Sequence, residues 1–220
     1  MVSNAEYLAT LIHRGVGSVY LPRALLDTPG PLLLHVSDTP SGFYPVLGRL
    51  LDRLKPAWLL ITGDVADEVK LELNPDLKSR YAARLSALRA LLLPRLGAAP
   101  RGGAPGQGLR LLFAVGNHDD PGLLESFFPE ALVVGGATRF VAGRLDCAAS
   151  HWASSAAATG AEYLFYGHDL SERSRFGDGF IYLNGVAAIN VVDLGSREIH
   201  FLPYPAGTDD ERLLRRKIGM

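Results

Sequence analysis

Polar side chains of the kinds that bind divalent metal ions follow several short apolar segments of this sequence. They are, in chain order, Asp38 after LLLHVS, Asp64 after WLLITG, Asn117, His118 and Asp119 after LLFAVG, and His168 after YLFYG. Carboxylates, an amide oxygen and imidazoles without thiolates suit Mn, Fe, Zn or Mg, and they do not suit a structural zinc cage. We therefore expect a centre for divalent metal ions.

The apolar segments before these residues must position them, and they have the pattern of buried strands. Strands are predicted at Leu32 to Val36, Trp58 to Ile61, Leu109 to Val115, Tyr163 to Tyr166, Phe180 to Leu183 and Ala188 to Asp193. In an open sheet the ends of parallel strands lie together at one edge, where ligand crevices form. Glycines at 63, 116 and 167 let the chain turn sharply there. Four separated segments are thus expected to converge.

Helical patterns lie between the first strands. Leucines and other apolar residues recur at helix spacing in the segments 46–54 and 81–92. Strand and helix therefore alternate in the first half of the chain. From Phe180 onward the pattern becomes strand, tight turn and strand, which suggests a more antiparallel second half, and a layered α/β sandwich fits both halves.

The length of 220 residues and the 48% of hydrophobic side chains predict one compact domain spanning residues 1–220. Residues 1–30 form an N-terminal extension with a helical opening. Residues 94–108 are dense in Gly, Pro and Ala without periodicity, which predicts a flexible surface loop. Residues 209–220 form a basic C-terminal tail, for which a solvated helix is predicted.

Composition restricts the partners and the compartment. Lys and Arg number 22 against 23 Asp and Glu, so no global positive field indicates nucleic-acid binding. The single cysteine, Cys147, excludes an intrachain disulfide and favours a reducing compartment. The N-terminus lacks the pattern of a secretory signal, and no apolar run is long enough to cross a bilayer. We expect a soluble, cytoplasmic protein without a membrane partner.

The order of the short motifs resembles that of the calcineurin-like metallophosphoesterase family. The matching blocks are Ser37-Asp38-Thr39-Pro40, Gly63-Asp64, Gly116-Asn117-His118-Asp119, Ser150-His151 and Gly167-His168-Asp169-Leu170. Tyr182-Leu183-Asn184-Gly185 also resembles a turn that family members place after their last metal motif. The resemblance runs from about Leu32 to the C-terminal strands, and it implies a four-layer α/β/β/α sandwich of mixed sheets.

The resemblance implies two adjacent metal sites of unequal completeness. Asp64 would bridge two ions, and Asn117, His151 and His168 would complete the second site; all four residues are present. The first site would use Asp38, Asp64 and two further histidines, but Pro40 and Leu170 stand at those two positions. Both losses fall on the same ion, so one or two divalent ions per chain are expected.

Two interpretations of the incomplete first site stay open. One keeps a single ion at the second site, with the first site empty or weakly loaded through Asp38, Asp64 and water. The other brings in an outside ligand, Asp169 or His35, although the strand position of His35 should point it to the opposite side of the sheet. The resemblance also implies that His118 protonates or steadies the leaving group. Asp119 is expected to orient the His118 ring.

The expected function is hydrolysis of a phosphomonoester or phosphodiester by metal-activated water, with a phosphate ester as substrate. The alternative, motivated by Pro40 and Leu170, is a protein of the same fold that has lost turnover and acts as a binding or regulatory module. A nucleotide-binding module of Rossmann type has little support, because no G-x-G-x-x-G motif follows a predicted strand.

Overall fold

Two mixed β-sheets form the centre of the protein. The computed structural model describes residues 3–103, 107–177 and 179–212. The first sheet has the strand order β11-β10-β1-β2-β3-β4, and the second has the order β5-β6-β7-β9-β8. The strands are β1 Leu32–Val36, β2 Trp58–Ile61, β3 Arg110–Ala114, β4 Leu132–Val134, β5 Thr138–Ala142, β6 Leu145–Ala149, β7 Tyr163–Tyr166, β8 Arg175–Gly177, β9 Phe180–Asn184, β10 Ile189–Asp193 and β11 Ile199–Leu202.

Seven α-helices lie among the described residues, and some of them cover the outer faces of the two sheets. They are α1 Asn4–Gly15, α2 Arg23–Asp27, α3 Tyr44–Leu54, α4 Lys78–Leu96, α5 Pro121–Phe127, α6 Ala153–Ala157 and α7 Thr208–Arg212. Leucines of α3 and α4 share a core with the outer face of the first sheet. Ala156 of α6 packs with Ala148 and Leu164 on the second sheet, and a third core lies between the sheets. The predicted α/β/β/α sandwich of mixed sheets is confirmed.

Parallel pairing brings the ends of the key strands to one edge. β1 pairs in parallel with β2, and β2 with β3, so that Val36, Ile61 and Phe113 lie side by side. In the second sheet β6 pairs in parallel with β7. These strands are buried on both faces, as their nearly continuous apolar sequences require. The loops that follow β1, β2 and β3 therefore share one edge with those that follow β6 and β7.

The predicted strands are all present, but their distribution between sheets differs from expectation. β9 lies in the second sheet and β10 in the first, so the turn at Gly185 carries the chain between sheets and does not close a hairpin. β9 pairs in parallel with β7, whereas β10 pairs antiparallel with β1 and β11. The second half is thus antiparallel only in part. The sheet to which each strand belongs depends on pairing with strands distant in the sequence, and the local sequence pattern does not identify those partners.

Two boundary predictions need correction. The predicted loop 94–108 begins too early, because α4 continues through Pro94 to Leu96. Part of the remainder is anchored, since Arg101 donates to the carbonyl oxygen of Leu26 at 2.5 Å; residues 104–106 lie outside the described residues. The C-terminal helix is not simply solvated, because the Arg212 side chain is buried at 3% exposure. Residues 213–220 lie outside the described part of the chain.

The predicted N-terminal helix is confirmed as α1. Ser3 and Glu6 form a capping box at its start, which satisfies amide groups that have no partner within the helix. Its apolar residues Leu8, Leu11 and Ile12 are exposed. Within the described ranges, no helix combines the length and apolar character needed to span a membrane.

His35 on β1 is buried in the space between the two sheets. Its Nε2 is 2.8 Å from Thr62 Oγ1, and its Nδ1 is 2.9 Å from the Asn190 amide nitrogen. Since the amide nitrogen can only donate, the ring is neutral and donates to Thr62. Burial lowers the pKa of His35 from 6.5 to about 3. His35 is thus bonded to Thr62 and Asn190, neither of which is a predicted metal ligand.

This lowered pKa predicts a loss of stability in mild acid. The unfolded chain takes up a proton as the pH falls through 6.5, while folded His35 stays neutral, so stability present above 6.5 is lost progressively toward pH 3. Between pH 7 and pH 5 the free energy of unfolding should fall by about 2 kcal/mol on account of His35. Urea unfolding of wild type and His35→Gln measures this, and equal pH slopes for the two proteins would contradict it.

Candidate metal centre

Three of the predicted metal ligands share an unusual backbone conformation. Asp38, Asp64 and His168 have positive φ angles of 49°, 49° and 70°, and they are three of the five non-glycine residues in this region among the described residues. A left-handed conformation costs roughly 1–2 kcal/mol for such residues and concentrates at functional sites. The sharp turns after β1, β2 and β7 thus aim these side chains toward a common point.

Glycines permit the loops to approach one another. A Cβ atom at position 116 would lie 2.2 Å from Asp64 Oδ1, and one at position 167 would lie 1.8 Å from Ser37 Oγ. Side chains at these positions would push the loops apart. The predicted need for glycine beside the ligands therefore has a steric basis.

The four residues expected at the second site lie together. His151 Nε2 is 3.0 Å from Asn117 Oδ1, 3.1 Å from His168 Nδ1 and 3.7 Å from Asp64 Oδ2. Bonds of about 2.0–2.2 Å to one metal ion place neighbouring ligand atoms roughly 3.0–3.5 Å apart. Asn117 and His168 thus lie at this spacing from His151 Nε2, and Asp64 lies slightly farther away. Among the described carboxylates and imidazoles, Asp38, Asp64 and His151 have ligand atoms within 4.8 Å of one another, so Asp38 also approaches this cluster.

The protonation pattern of this cluster also fits a cation. His151 Nδ1 lies 2.8 Å from the carbonyl oxygen of Thr62, which fixes the proton on Nδ1 and leaves a lone pair on Nε2. The Asn117 amide nitrogen donates to Glu72 at 2.5 Å, so that Oδ1 faces His151. An imidazole lone pair, an amide oxygen and the Asp64 carboxylate consequently face one another.

Electrostatics strengthen this fit. Asp64 is 2% exposed, and burial followed by the neighbouring charges of Asp119 and Asp38 raises its pKa well above the ordinary value. A buried carboxylate among other acids is unfavourable unless a positive charge accompanies it. A divalent ion at the second site would supply that charge.

The first site lacks the two histidines that the resemblance implies for it. Asp38 is buried, and its Oδ2 accepts hydrogen bonds from Ser37 Oγ and the His168 backbone amide. Pro40 begins a short 3-10 turn at Ser41–Phe43, and Leu170 is 39% exposed beside the pocket. Neither side chain has a donor atom for a metal. Of the ligands expected at the first site, Asp38 and Asp64 are therefore the ones present.

Neither outside ligand considered for the first site lies at it. Asp169 is exposed, and its Oδ1 accepts from the Ser171 amide at 2.7 Å. His35 is committed to Thr62 and Asn190 between the sheets. The interpretation that uses one of these residues as a replacement ligand therefore has no geometric support.

Sequence reasoning missed three residues at the pocket, namely Asp67, Lys70 and Arg212. Asp67 is 2% exposed and forms an ion pair with Lys70. Its carboxylate can approach those of its neighbours, since ligand atoms of Asp64, Asp67 and His118 lie within 4.8 Å of one another. The three-residue step from Asp64 to Asp67 was a signal in the sequence, but a surface loop has the same pattern.

His118 lies next to this cluster, on the loop after β3. Its backbone amide donates to Asp64 Oδ1 at 2.9 Å, and its ring Nδ1 is 3.7 Å from Glu72 Oε2. Burial, and then the positive charge of Lys70, lower the pKa of His118 to about 4. The ring is therefore neutral at neutral pH and suited to donating a hydrogen bond, not to carrying a positive charge.

The predicted orienting contact between Asp119 and His118 is wrong. Asp119 Oδ2 accepts from the backbone amides of Asp64 and Gly116, each at 2.9 Å. Its Oδ1 accepts from the Val65 amide at 2.9 Å and from the Tyr81 hydroxyl at 2.8 Å. Asp119 therefore joins the loops after β2 and β3 and positions Asp64, because four donors already surround its carboxylate.

Comparison with known proteins identifies the family and the fold of this chain. A family model described as calcineurin-like phosphoesterase matches residues 31–196. A novel archaeal phosphodiesterase superposes with a TM-score of 0.52 at 13% identity, covering 77% of this chain and 97% of that chain. Another crystal structure has a TM-score of 0.56 at 11% identity, covering 80% and 100%. YfcE, a phosphoesterase from E. coli, has a TM-score of 0.43 at 13% identity, covering 79% and 99%. No curated protein sequence matches this chain. The first two structures share its fold.

Proposed function

Because the chain belongs to the calcineurin-like phosphoesterase family, we propose that it hydrolyses a phosphomonoester or phosphodiester with one divalent ion at the second site. The observation that carries this proposal is that Asp64, Asn117 and His168 converge on Nε2 of His151. Mixed oxygen and nitrogen ligands suit Mn, Fe or Zn more closely than they suit Mg.

We assign a separate role in hydrolysis to each of the residues around the second site. A divalent ion held by Asp64, Asn117, His151 and His168 would supply Lewis-acid chemistry, which would make a water molecule easier to deprotonate and stabilise charge on the phosphoryl oxygens. Glu72 keeps the Asn117 amide turned so that its oxygen faces the cluster. Asp119 holds the backbone of Asp64 in place. Neutral His118 donates a hydrogen bond to the leaving oxygen, which steadies its developing negative charge.

The proposal is tested by measuring nitrophenol release from mono- and bis-nitrophenyl phosphate with Mn, Fe, Zn, Co and Mg. We expect metal-stimulated hydrolysis and a kcat about 100-fold lower for His118→Ala, at unchanged metal content. The proposal fails if no metal stimulates hydrolysis, or if His118→Ala turns over at the wild-type rate.

A binding or regulatory protein is the second candidate, and Pro40 and Leu170 are the residues that favour it. On this hypothesis the fold and one ion are retained, and turnover is lost because the first site is incomplete. Restoring both histidines with Pro40→His and Leu170→His should then create hydrolysis that the wild type lacks. No gain in hydrolysis would count against the second candidate.

A further inference from the structure

A small acidic cavity lies where the first metal ion would bind. It has a volume of about 110 Å³, and its walls include Asp38, Asp64, Asp67, Lys70 and His118. The three carboxylates are 2% to 6% exposed. Buried carboxylates in such proximity repel one another unless a cation lies among them, and this site lacks the two histidines that would help to hold a metal ion.

Lys70 brings a positive charge to this cavity from the protein itself. Its ammonium group pairs with Asp67, and the two side chains are 18% and 3% exposed. Lys70 and His118 line the same cavity. The ammonium group is therefore placed both beside the buried carboxylates and on the cavity that contains the residue expected at the leaving group.

Arg212 is the other cation of the cavity, and the described residues occupy four of its five N–H donors. Nε donates to Asp38 O at 2.7 Å and Nη2 to Ser37 O at 2.8 Å, while Nη1 donates to Val186 O at 3.0 Å and to Asp209 Oδ1 at 2.9 Å. Lys70 differs, since the described residues show its ammonium bonded to Asp67 and an ammonium has three donors. Lys70 thus has capacity to bind a ligand oxygen.

We propose that the Lys70 ammonium group takes the place of the first metal ion and binds a phosphate oxygen of the substrate. Lysine is a common phosphate ligand, and its compact charge can neutralise part of what a metal ion would. The ammonium and a divalent ion would repel each other within this cavity, so the protein saturates with one ion per chain. This inference rests on the proposed function, because it assigns a second cationic group to the same reaction.

The first test measures metal content and needs no turnover. Wild-type protein equilibrated with excess Mn and freed of unbound ions should retain one ion per chain, as counted by elemental analysis. Two tightly held ions per chain would overturn the Lys70 proposal. That result would leave phosphoester hydrolysis intact, so the failures of the two proposals can be told apart.

The second test measures binding of inorganic phosphate to the Mn-loaded protein by calorimetry. Lys70→Gln should raise the Kd for phosphate about 10- to 100-fold, because one charge-assisted hydrogen bond is lost. Lys70→Arg keeps the charge and should stay within about threefold of wild type. Lys78→Gln is the matched control, since Lys78 is 63% exposed and pairs with Asp120 outside the cavity.

Two outcomes of the binding test would overturn the proposal. One is a Kd for Lys70→Gln within twofold of that of Lys78→Gln. The other is a loss of phosphate binding that is equal in Lys70→Arg and Lys70→Gln while both variants keep wild-type Mn content and thermal stability. In that case the shape of the side chain, and not its charge, would matter.

Discussion

Replacing His151 with alanine is expected to remove the bound metal ion and to lower kcat for phosphoester hydrolysis by about 1000-fold or more. His151 is 1% exposed, and its Nε2 is the atom close to all three other ligands of the second site. Without the imidazole, the remaining ligands lose their central member and Asp64 keeps a buried charge. Elemental analysis of the purified variant and hydrolysis of bis-nitrophenyl phosphate measure the two effects.

The control for this prediction is His13→Ala. His13 lies on α1, and its Nδ1 contacts Ser18 Oγ at 2.9 Å, away from the cavity. This variant should keep wild-type metal content and activity. If His151→Ala also kept both, the second site would be wrongly assigned and the metal-dependent proposal would lose its structural basis.

The residues proposed for the second site could be predicted from the sequence because each follows an apolar strand or belongs to a short motif that is recognisable in the local sequence. Asp64 comes after β2 and Asn117 after β3, and the parallel pairing of these two strands is enough to bring their ends together. His168 comes after β7 in the second sheet, so its approach depends on the packing of one sheet against the other. The sequence could not predict the distances of 3.0–3.1 Å that separate His151 Nε2 from the Asn117 and His168 atoms. The direction of each side chain depends on the left-handed turns at Asp64 and His168, which have no pattern of their own in the sequence.

Lys70 and Arg212 could not be predicted because their roles arise from tertiary contacts. Arg212 donates to Asp38 O, a residue 174 positions earlier in the chain. The sequence around it, ERLLRRK, has the charge pattern of a solvated tail. Burial of one arginine from such a run depends on acceptors that only the folded loops present.

Two strands that the sequence analysis did not predict, β5 and β8, lack a run of buried apolar residues. β5, with the sequence TRFVA, alternates between exposed and less exposed residues, and β8 has three exposed residues. Such edge strands are held by pairing with a neighbour more than by burial of their own side chains. Short segments of this kind carry too few apolar residues for periodicity to distinguish them from loops.

Replacing Arg212 with alanine is expected to lower the free energy of unfolding by about 3–4 kcal/mol. The guanidinium group binds the carbonyl oxygens of Ser37, Asp38 and Val186, and it lies 4.1 Å from the centre of the Tyr204 ring. Alanine would leave these buried carbonyl groups without their partner and loosen the loop that carries Asp38. Urea unfolding at pH 7 gives the free energy directly.

Arg212→Lys and Arg197→Ala separate the possible causes of such a loss. Lysine keeps the charge but cannot reproduce the planar fork of donors, so it should recover less than half of the loss. Arg197 pairs with Glu162 at 3.2 Å on the surface, where the two side chains are 53% and 37% exposed, and its removal should change stability by less than about 1 kcal/mol. If Arg212→Ala were no less stable than Arg197→Ala, α7 would not support the Asp38 loop. If Arg212→Ala loses much stability and Arg212→Lys does not recover it, the directional hydrogen bonds of the guanidinium group support the Asp38 loop. These hydrogen bonds join α7 to the loop that carries Asp38.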